Sequence, residues 1–87
     1  MNEEKIKEYQ LKLKAKIIAH EISSVSPEIM RIGPVDSTDK KLKMAGLTMN
    51  EINIIELNEA FAAQSIAVIK ETKMDINKVN VNGGAIA

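Results

Sequence analysis

The chain has 87 residues, of which 45% are hydrophobic and 28% are charged, a composition typical of a globular protein with room for one domain at most. Twelve basic residues balance twelve acidic ones and only Tyr9 and Phe61 are aromatic, so the charge and stacking surface of a nucleic-acid-binding protein are missing. Cysteine is absent, which excludes disulfides, thiolate metal sites and a thiol nucleophile within these residues.

The first predicted element is a short helix over residues 2–12, in which acidic residues come first and lysines come later, as the helix dipole favours. The same stretch is too acidic for a transit peptide and too polar for a secretory signal. No later apolar run approaches the roughly 18 residues that a membrane span requires. We therefore expect a cytoplasmic protein that contacts neither a membrane nor a nucleic acid.

The next predicted elements alternate between extended and helical segments. Residues 14–22 are rich in isoleucine and predict a strand. Residues 26–35, punctuated by proline and glycine, predict an ordered loop, and residues 36–46 predict a helix that ends at its glycine. Thr48 and Glu51 then have the spacing of a capping box.

The second half of the sequence repeats this alternation. INIIEL at residues 52–57 predicts a strand, residues 59–72 predict a helix, and residues 75–87 return to an extended conformation. The order helix, strand, helix, strand, helix, strand is typical of an α/β fold. We expect a mostly parallel sheet of about three strands with packed helices, joined by right-handed crossovers.

Asn58 lies at the predicted junction between the second strand and the third helix, where open α/β sheets bind their ligands. Free N–H groups at the start of a helix favour a developing oxyanion. Asparagine is also among the best helix N-caps, contributing about 1 kcal/mol without any ligand. Both interpretations of Asn58 stay open and are compatible, while Glu59 is interpreted as the first helical residue.

Gly83 and Gly84 also have two interpretations, a tight turn or a close approach of the backbone to a ligand. His20, the single histidine, lies in the first predicted strand. This position favours a histidine in the core or at the sheet edge over a metal ligand or a catalytic base. No metal site is predicted.

Two motifs carry a family resemblance. NEAFAAQ at residues 58–64, followed by VNVNGGAIA at residues 79–87, resembles in order and spacing the thiolase family, the acetyl-CoA acetyltransferases and 3-ketoacyl-CoA thiolases. SPEIMRIGPV at residues 26–35 is similar to that family's PEIMGIGPV segment. The resemblance implies a partial thiolase fold, with residues 1–12 as the tail of the N-terminal domain and residues 13–87 as an incomplete C-terminal domain.

The resemblance also implies a reaction and a set of site residues. In thiolases, one cysteine takes the acyl group from a thioester and a second moves the proton in Claisen condensation or its reverse. By the resemblance, Asn58 holds a water that stabilises the thioester oxygen. Ala60 and Phe61 match positions that line the acyl-CoA pocket, and Gly83 and Gly84 match a loop-shaping position. A coenzyme A thioester is the implied substrate, with no other cofactor.

Parts of the family's catalytic machinery are missing from the sequence. Both catalytic cysteines are absent, and the family's Gly-His-Pro segment would follow Ala87. We therefore expect a thiolase fragment that is inactive alone and whose partners are acyl-CoA, the remainder of a thiolase chain and, in the parent enzyme, further copies in a homo-oligomer. The alternative is a non-catalytic thiolase-like binding or assembly module, or one half of a split thiolase. Arg31 replaces a usual glycine, which leaves the shape of its loop open.

Overall fold

The computed structural model describes residues 1–86, so Ala87, which closes the last predicted extended segment and the predicted C-terminal domain, lies outside the described residues. The described part contains three α-helices: α1 (Glu3–Glu8), α2 (Gly33–Ala45) and α3 (Ala62–Thr72). Three short 3-10 helices complete its regular structure, at Pro27–Ile32, Met49–Glu51 and Ile76–Lys78.

The signals at the ends of α2 explain its extent. Gly46 adopts the left-handed conformation (φ +68°) at the C-terminus, and its N–H bonds back to the last turn, as its position predicted. The helix begins three residues earlier than residue 36, because Pro34 suits the first helical turn. The capping box is also confirmed: the Glu51 carboxylate accepts hydrogen bonds from both the N–H and the hydroxyl of Thr48, each at 2.7 Å.

One face of α3 forms the small core. Val68 is fully buried, and Ser65 and Thr72, one turn before and one turn after it, are the buried polar residues of the described part. Both hydroxyls are satisfied within the helix, since Ser65 donates to the carbonyl of Phe61 and Thr72 donates to that of Val68. Helices α2 and α3 pack on each other and on the 3-10 helix Pro27–Ile32.

The predicted α/β fold with a mostly parallel sheet of about three strands is wrong for residues 1–86. The β interaction in this part is one isolated parallel bridge, Ile55–Val79. The predicted strand at residues 14–22 has no regular structure and makes no backbone hydrogen bond within the described part. Isoleucine-rich segments favour an extended backbone, but a strand requires a hydrogen-bonded neighbour. Residues 52–57 and 75–86 have such a hydrogen-bonded neighbour only at the Ile55–Val79 bridge.

The molecule is open and its core is small. Its radius of gyration is 15.5 Å, whereas a compact domain of this length would have about 12 Å. Its accessible surface is 7244 Å², against about 5,100 Å² for a compact monomer of this mass. Large apolar side chains are correspondingly exposed, with Ile17 and Ile22 both at 85%. Over residues 1–86, no helix combines the length and the apolar character needed to cross a membrane.

Candidate functional site

A cleft of about 390 Å³ lies between the segment that precedes α3 and the loop that follows the β-bridge. Its lining residues come from two stretches of chain far apart in sequence: Glu56, Leu57, Asn58, Asn80, Gly83, Gly84 and Ala85. Of the predicted site residues, the structure therefore brings Asn58, Gly83 and Gly84 together. Besides the two glycines, the lining contains two asparagines, one glutamate, one leucine and one alanine.

Asn80 joins the two walls through its side chain. The β-bridge consists of two bonds, from Ile55 N–H to the Lys78 carbonyl (2.9 Å) and from Asn80 N–H to the Ile55 carbonyl (2.8 Å). Beyond the bridge, Asn80 Oδ1 accepts from Leu57 N–H at 2.8 Å, and Asn80 Nδ2 donates to the Leu57 carbonyl at 3.0 Å. One side-chain amide thus satisfies both backbone groups of Leu57, where a continuing parallel ladder would use backbone groups of the facing chain.

Glu59 makes the second link between the walls. Its Oε1 accepts from Asn80 Nδ2 at 2.8 Å, and its Oε2 accepts from the backbone N–H groups of Ala85 (2.9 Å) and Ile86 (3.2 Å). The Asn80 amide, followed by the N–H groups of Ile86 and Ala85, holds the pKa of the Glu59 carboxyl below its ordinary value. Glu59 is therefore an ionised anchor for the loop on the opposite wall.

The two glycines fit this anchor for different reasons. Gly83 has φ +103°, a conformation that residues with a Cβ rarely adopt. At Gly84 an added Cβ would collide with the Glu59 carboxylate, lying within 2.5 Å of its Cδ and its Oε1. The absence of a side chain at Gly84 thus lets the backbone pass directly over Glu59, while the loop-shaping role implied by the resemblance stays a prediction.

Asn58 is not a helix cap. Helix α3 begins at Ala62 and its N-cap is Phe61, so the capping interpretation of Asn58 is wrong, as is the expectation that Glu59 begins the helix. The side chain of Asn58 is exposed on the cleft wall, and its two chain neighbours are held by Asn80 and by the opposite loop. Its ligand-holding role stays a prediction.

Ala60 and Phe61 lie outside this cleft. Phe61 is 53% exposed, and its ring lies beneath the guanidinium of Arg31, with Cζ 4.2 Å from the ring centroid. This contact involves the residue that departs from the family pattern in the preceding loop. The predicted roles of Ala60 and Phe61 at an acyl-CoA pocket are separate from the cleft and stay predictions.

The chemistry available in the cleft is binding and polarisation. Its lining carries two amide side chains and one carboxylate but no hydroxyl, thiol or imidazole, so it can hold an oxygen atom but supplies no thiol or hydroxyl nucleophile. His20 is exposed in the irregular stretch before α2, so its interpretation as a core or edge strand residue is wrong. Among residues 1–86, no three potential metal ligands come together.

The sequence missed Glu59 and Asn80 as site-forming residues. Each contacts a partner 21 to 27 positions away in sequence. No local spacing rule reaches that distance. The sequence did contain one signal. Asn80 lies close to the glycine pair, and Glu59 directly follows Asn58, the predicted ligand-binding residue.

Comparisons with known proteins give one result. The family model described as "Thiolase, C-terminal domain" matches residues 11–87. A 3-ketoacyl-CoA thiolase of Aliivibrio fischeri is 50% identical over 90 residues, which cover all of this chain and 23% of that protein. An acetyl-CoA acetyltransferase of Syntrophomonas wolfei is 48% identical over 91 residues, which cover all of this chain and 22% of that protein.

Solved structures agree with these relatives. The crystal structure of human mitochondrial 3-ketoacyl-CoA thiolase superposes with a TM-score of 0.93 at 44% identity, over 98% of this chain and 22% of that chain. The same human enzyme in complex with CoA matches equally well. The acetyl-CoA acetyltransferase of Bacillus anthracis has a TM-score of 0.91 at 44% identity, over 97% of this chain and 21% of that chain. The chain thus spans less than a quarter of the length of the relatives it matches.

Proposed function

This chain belongs to the thiolase family, and we propose that it supplies one wall of a thiolase active site, the wall that stabilises negative charge on the thioester oxygen. The parent reaction is acyl transfer between coenzyme A thioesters. It runs either as Claisen condensation of acyl-CoA or as thiolytic cleavage of 3-ketoacyl-CoA. The names of the relatives include both 3-ketoacyl-CoA thiolases and acetyl-CoA acetyltransferases, which supports this class of reaction without choosing its direction.

The observation that carries the proposal is the position of Asn58. Its side chain is exposed on a cleft wall and is not used to cap α3, although the helix begins only four residues later. An amide in such a place can donate to a water, and the water can donate to an oxygen that gains negative charge in the transition state. Donors fixed before the reaction are effective because they need no reorganisation when the charge develops.

The remaining parts of the reaction must come from other residues. Neither the cysteine that would take the acyl group nor the cysteine that would move the proton occurs in these 87 residues. We therefore propose that the chain alone is inactive and that its exposed apolar surface is covered by the remainder of a thiolase chain. The substrate is a coenzyme A thioester, and no other cofactor is required. Ala60 and Phe61 are proposed to line the acyl-CoA pocket completed by that remainder.

A chimeric enzyme tests the proposal directly. The matching 90 residues of the Aliivibrio fischeri thiolase are replaced by this chain, and thiolysis and condensation are measured on purified protein. We expect activity in the chimera and none in the isolated chain. In the chimera, Asn58→Ala should lower kcat by about 100-fold, the usual effect of losing an oxyanion donor. Asn77→Ala changes an exposed asparagine outside the cleft and serves as the matched control.

The possible outcomes separate this proposal from its alternative. Activity in the isolated chain would contradict the dependence on external cysteines. A folded chimera in which Asn58→Ala behaves like Asn77→Ala would contradict the role of Asn58. Activity that appears only when the isolated chain is mixed with a separately produced remainder would identify one half of a split thiolase, with the same role for Asn58.

A further inference from the structure

We propose that Glu59 is a positioning residue, which acts with Asn80 to hold the Asn58 segment at a fixed place opposite the Gly83–Ile86 loop. The inference rests on the proposed function, because it concerns how Asn58 is held for that reaction. Glu59 itself does not line the cleft and touches no substrate in this account. Its effect on the reaction passes through the backbone on either side of Asn58.

The Glu59 carboxylate bonds to two different parts of the chain. Both oxygens of Glu59 accept hydrogen bonds, and the three donors come from two places, the side chain of Asn80 and the consecutive N–H groups of Ala85 and Ile86. Hydrogen bonds to an ionised group are shorter and stronger than those between neutral groups. One side chain therefore ties the segment before α3 both to Asn80 and to the Gly83–Ile86 loop.

The Gly83–Ile86 loop is complementary in shape to the Glu59 carboxylate. The backbone at Gly84 passes so close to the carboxylate that a Cβ at this position would collide with it. Gly83 supplies the positive φ that turns the chain into this approach. The loop is thus shaped around Glu59, and a residue without an acceptor at position 59 would leave two backbone N–H groups unpaired.

The hydrogen bonds of Asn80 and Glu59 hold the backbone on both sides of Asn58. On its N-terminal side, both backbone groups of Leu57 are bonded to the Asn80 amide. On its C-terminal side, the Glu59 side chain is bonded to the same amide through Oε1. Asn58 is therefore held between two residues that share one partner, and loosening that partner would weaken the hold on both sides. A displacement of about 1 Å in a catalytic group can cost about 100-fold in rate.

Glu59→Gln in the chimera is the sharpest substitution. It keeps the size and shape of the side chain, but it replaces one acceptor oxygen with an NH₂ group that faces donors in either orientation, so one of the two links must be lost. We expect kcat to fall by about tenfold or more, with KM for the coenzyme A thioester changed by no more than about twofold. Glu51→Gln is the matched control, because the Glu51 carboxylate also accepts two hydrogen bonds but lies outside the cleft.

A double variant distinguishes positioning from general destabilisation. If Glu59 acts through Asn58, the variant with both Asn58→Ala and Glu59→Gln should be no slower than Asn58→Ala alone, because two changes on one pathway do not add. A purely structural effect would lower kcat further in the double variant. If Glu59→Gln does not give a folded chimera, Asn80→Gly takes its place in the comparison, because it removes the hydrogen bond between Asn80 and Glu59 together with the two bonds to Leu57.

Each result decides the inference. A fall in kcat for Glu59→Gln that is absent for Glu51→Gln and is not added to that of Asn58→Ala supports positioning. If Asn58→Ala lowers kcat and Glu59→Gln does not, the positioning role is refuted while the proposed function stands. If Asn58→Ala has no effect on kcat, the proposed function is refuted and the positioning role falls with it.

Discussion

Replacing Asn80 with glycine isolates the contribution of one side-chain amide to the cleft. Asn80 has φ +49°, so alanine would add backbone strain, whereas glycine adopts this conformation without cost. The substitution removes both hydrogen bonds to the backbone of Leu57, each worth about 1 kcal/mol net. Glycine also relieves the strain of the left-handed conformation, which offsets up to about 1 kcal/mol. We therefore expect a loss of at least about 1–2 kcal/mol in the stability of the local structure, since the hydrogen bond from Asn80 Nδ2 to the Glu59 carboxylate is lost as well.

Hydrogen exchange of the isolated chain, followed by NMR, measures this loss at one atom pair. The N–H of Leu57 donates to Asn80 Oδ1, so its protection reports the bond that the substitution removes. A loss of about 1–2 kcal/mol corresponds to about 5- to 30-fold faster exchange. Lys73→Gly is the matched control, because Lys73 also has a positive φ (+57°), at the C-terminus of α3, and has no contact with the cleft. There glycine should leave stability unchanged or raise it.

The opposite pattern would refute the reasoning about Asn80. Unchanged exchange at Leu57 in the Asn80→Gly variant would show that the amide does not hold this segment. Equal acceleration in Asn80→Gly and Lys73→Gly would show a general effect of glycine on the chain and not the loss of a specific pair of hydrogen bonds.

Three further substitutions or conditions test neighbouring features. Gly84→Ala should expose the N–H of Ala85 to exchange, because the new Cβ displaces the Glu59 carboxylate, and unchanged protection would contradict the close approach. The pKa of Glu59 is lowered, so the stability that its carboxylate contributes is complete above the ordinary pKa of 4.5 and is lost as the pH falls through the lowered pKa. Protection of the Ala85 N–H from exchange should fall over the same pH range. Protection that does not depend on pH would contradict this link. Val68→Ala should lower the free energy of unfolding in urea by about 2 kcal/mol, whereas Ile66→Ala, at a half-exposed site, should cost much less, and equal losses would contradict a core centred on Val68.

Local rules predicted the features that depend on neighbouring residues. The end of α2 at Gly46 needs only a glycine one position past the helix, and the Thr48–Glu51 box needs only a spacing of three. The family was also recognisable, because NEAFAAQ and VNVNGGAIA keep their order and spacing in this chain.

Features that depend on distant partners were not predicted. The segment at residues 14–22 has the residues of a strand but no hydrogen-bonded neighbour within the described part, so it forms no strand despite its β-propensity. Asn58 resembles a helix cap in sequence, yet Phe61 occupies that position because α3 begins only at Ala62. Glu59 looks like an ordinary first-turn acid until the loop more than twenty residues later supplies its donors.

Comparing kcat between the Asn58→Ala and Asn77→Ala chimeras tests whether Asn58 stabilises the thioester oxygen. Both variants replace an exposed asparagine, and of these two residues only Asn58 lies on the cleft wall. We expect kcat to fall by about 100-fold for Asn58→Ala and to stay near that of the unsubstituted chimera for Asn77→Ala. Equal rates in two folded chimeras would show that Asn58 does not stabilise the thioester oxygen.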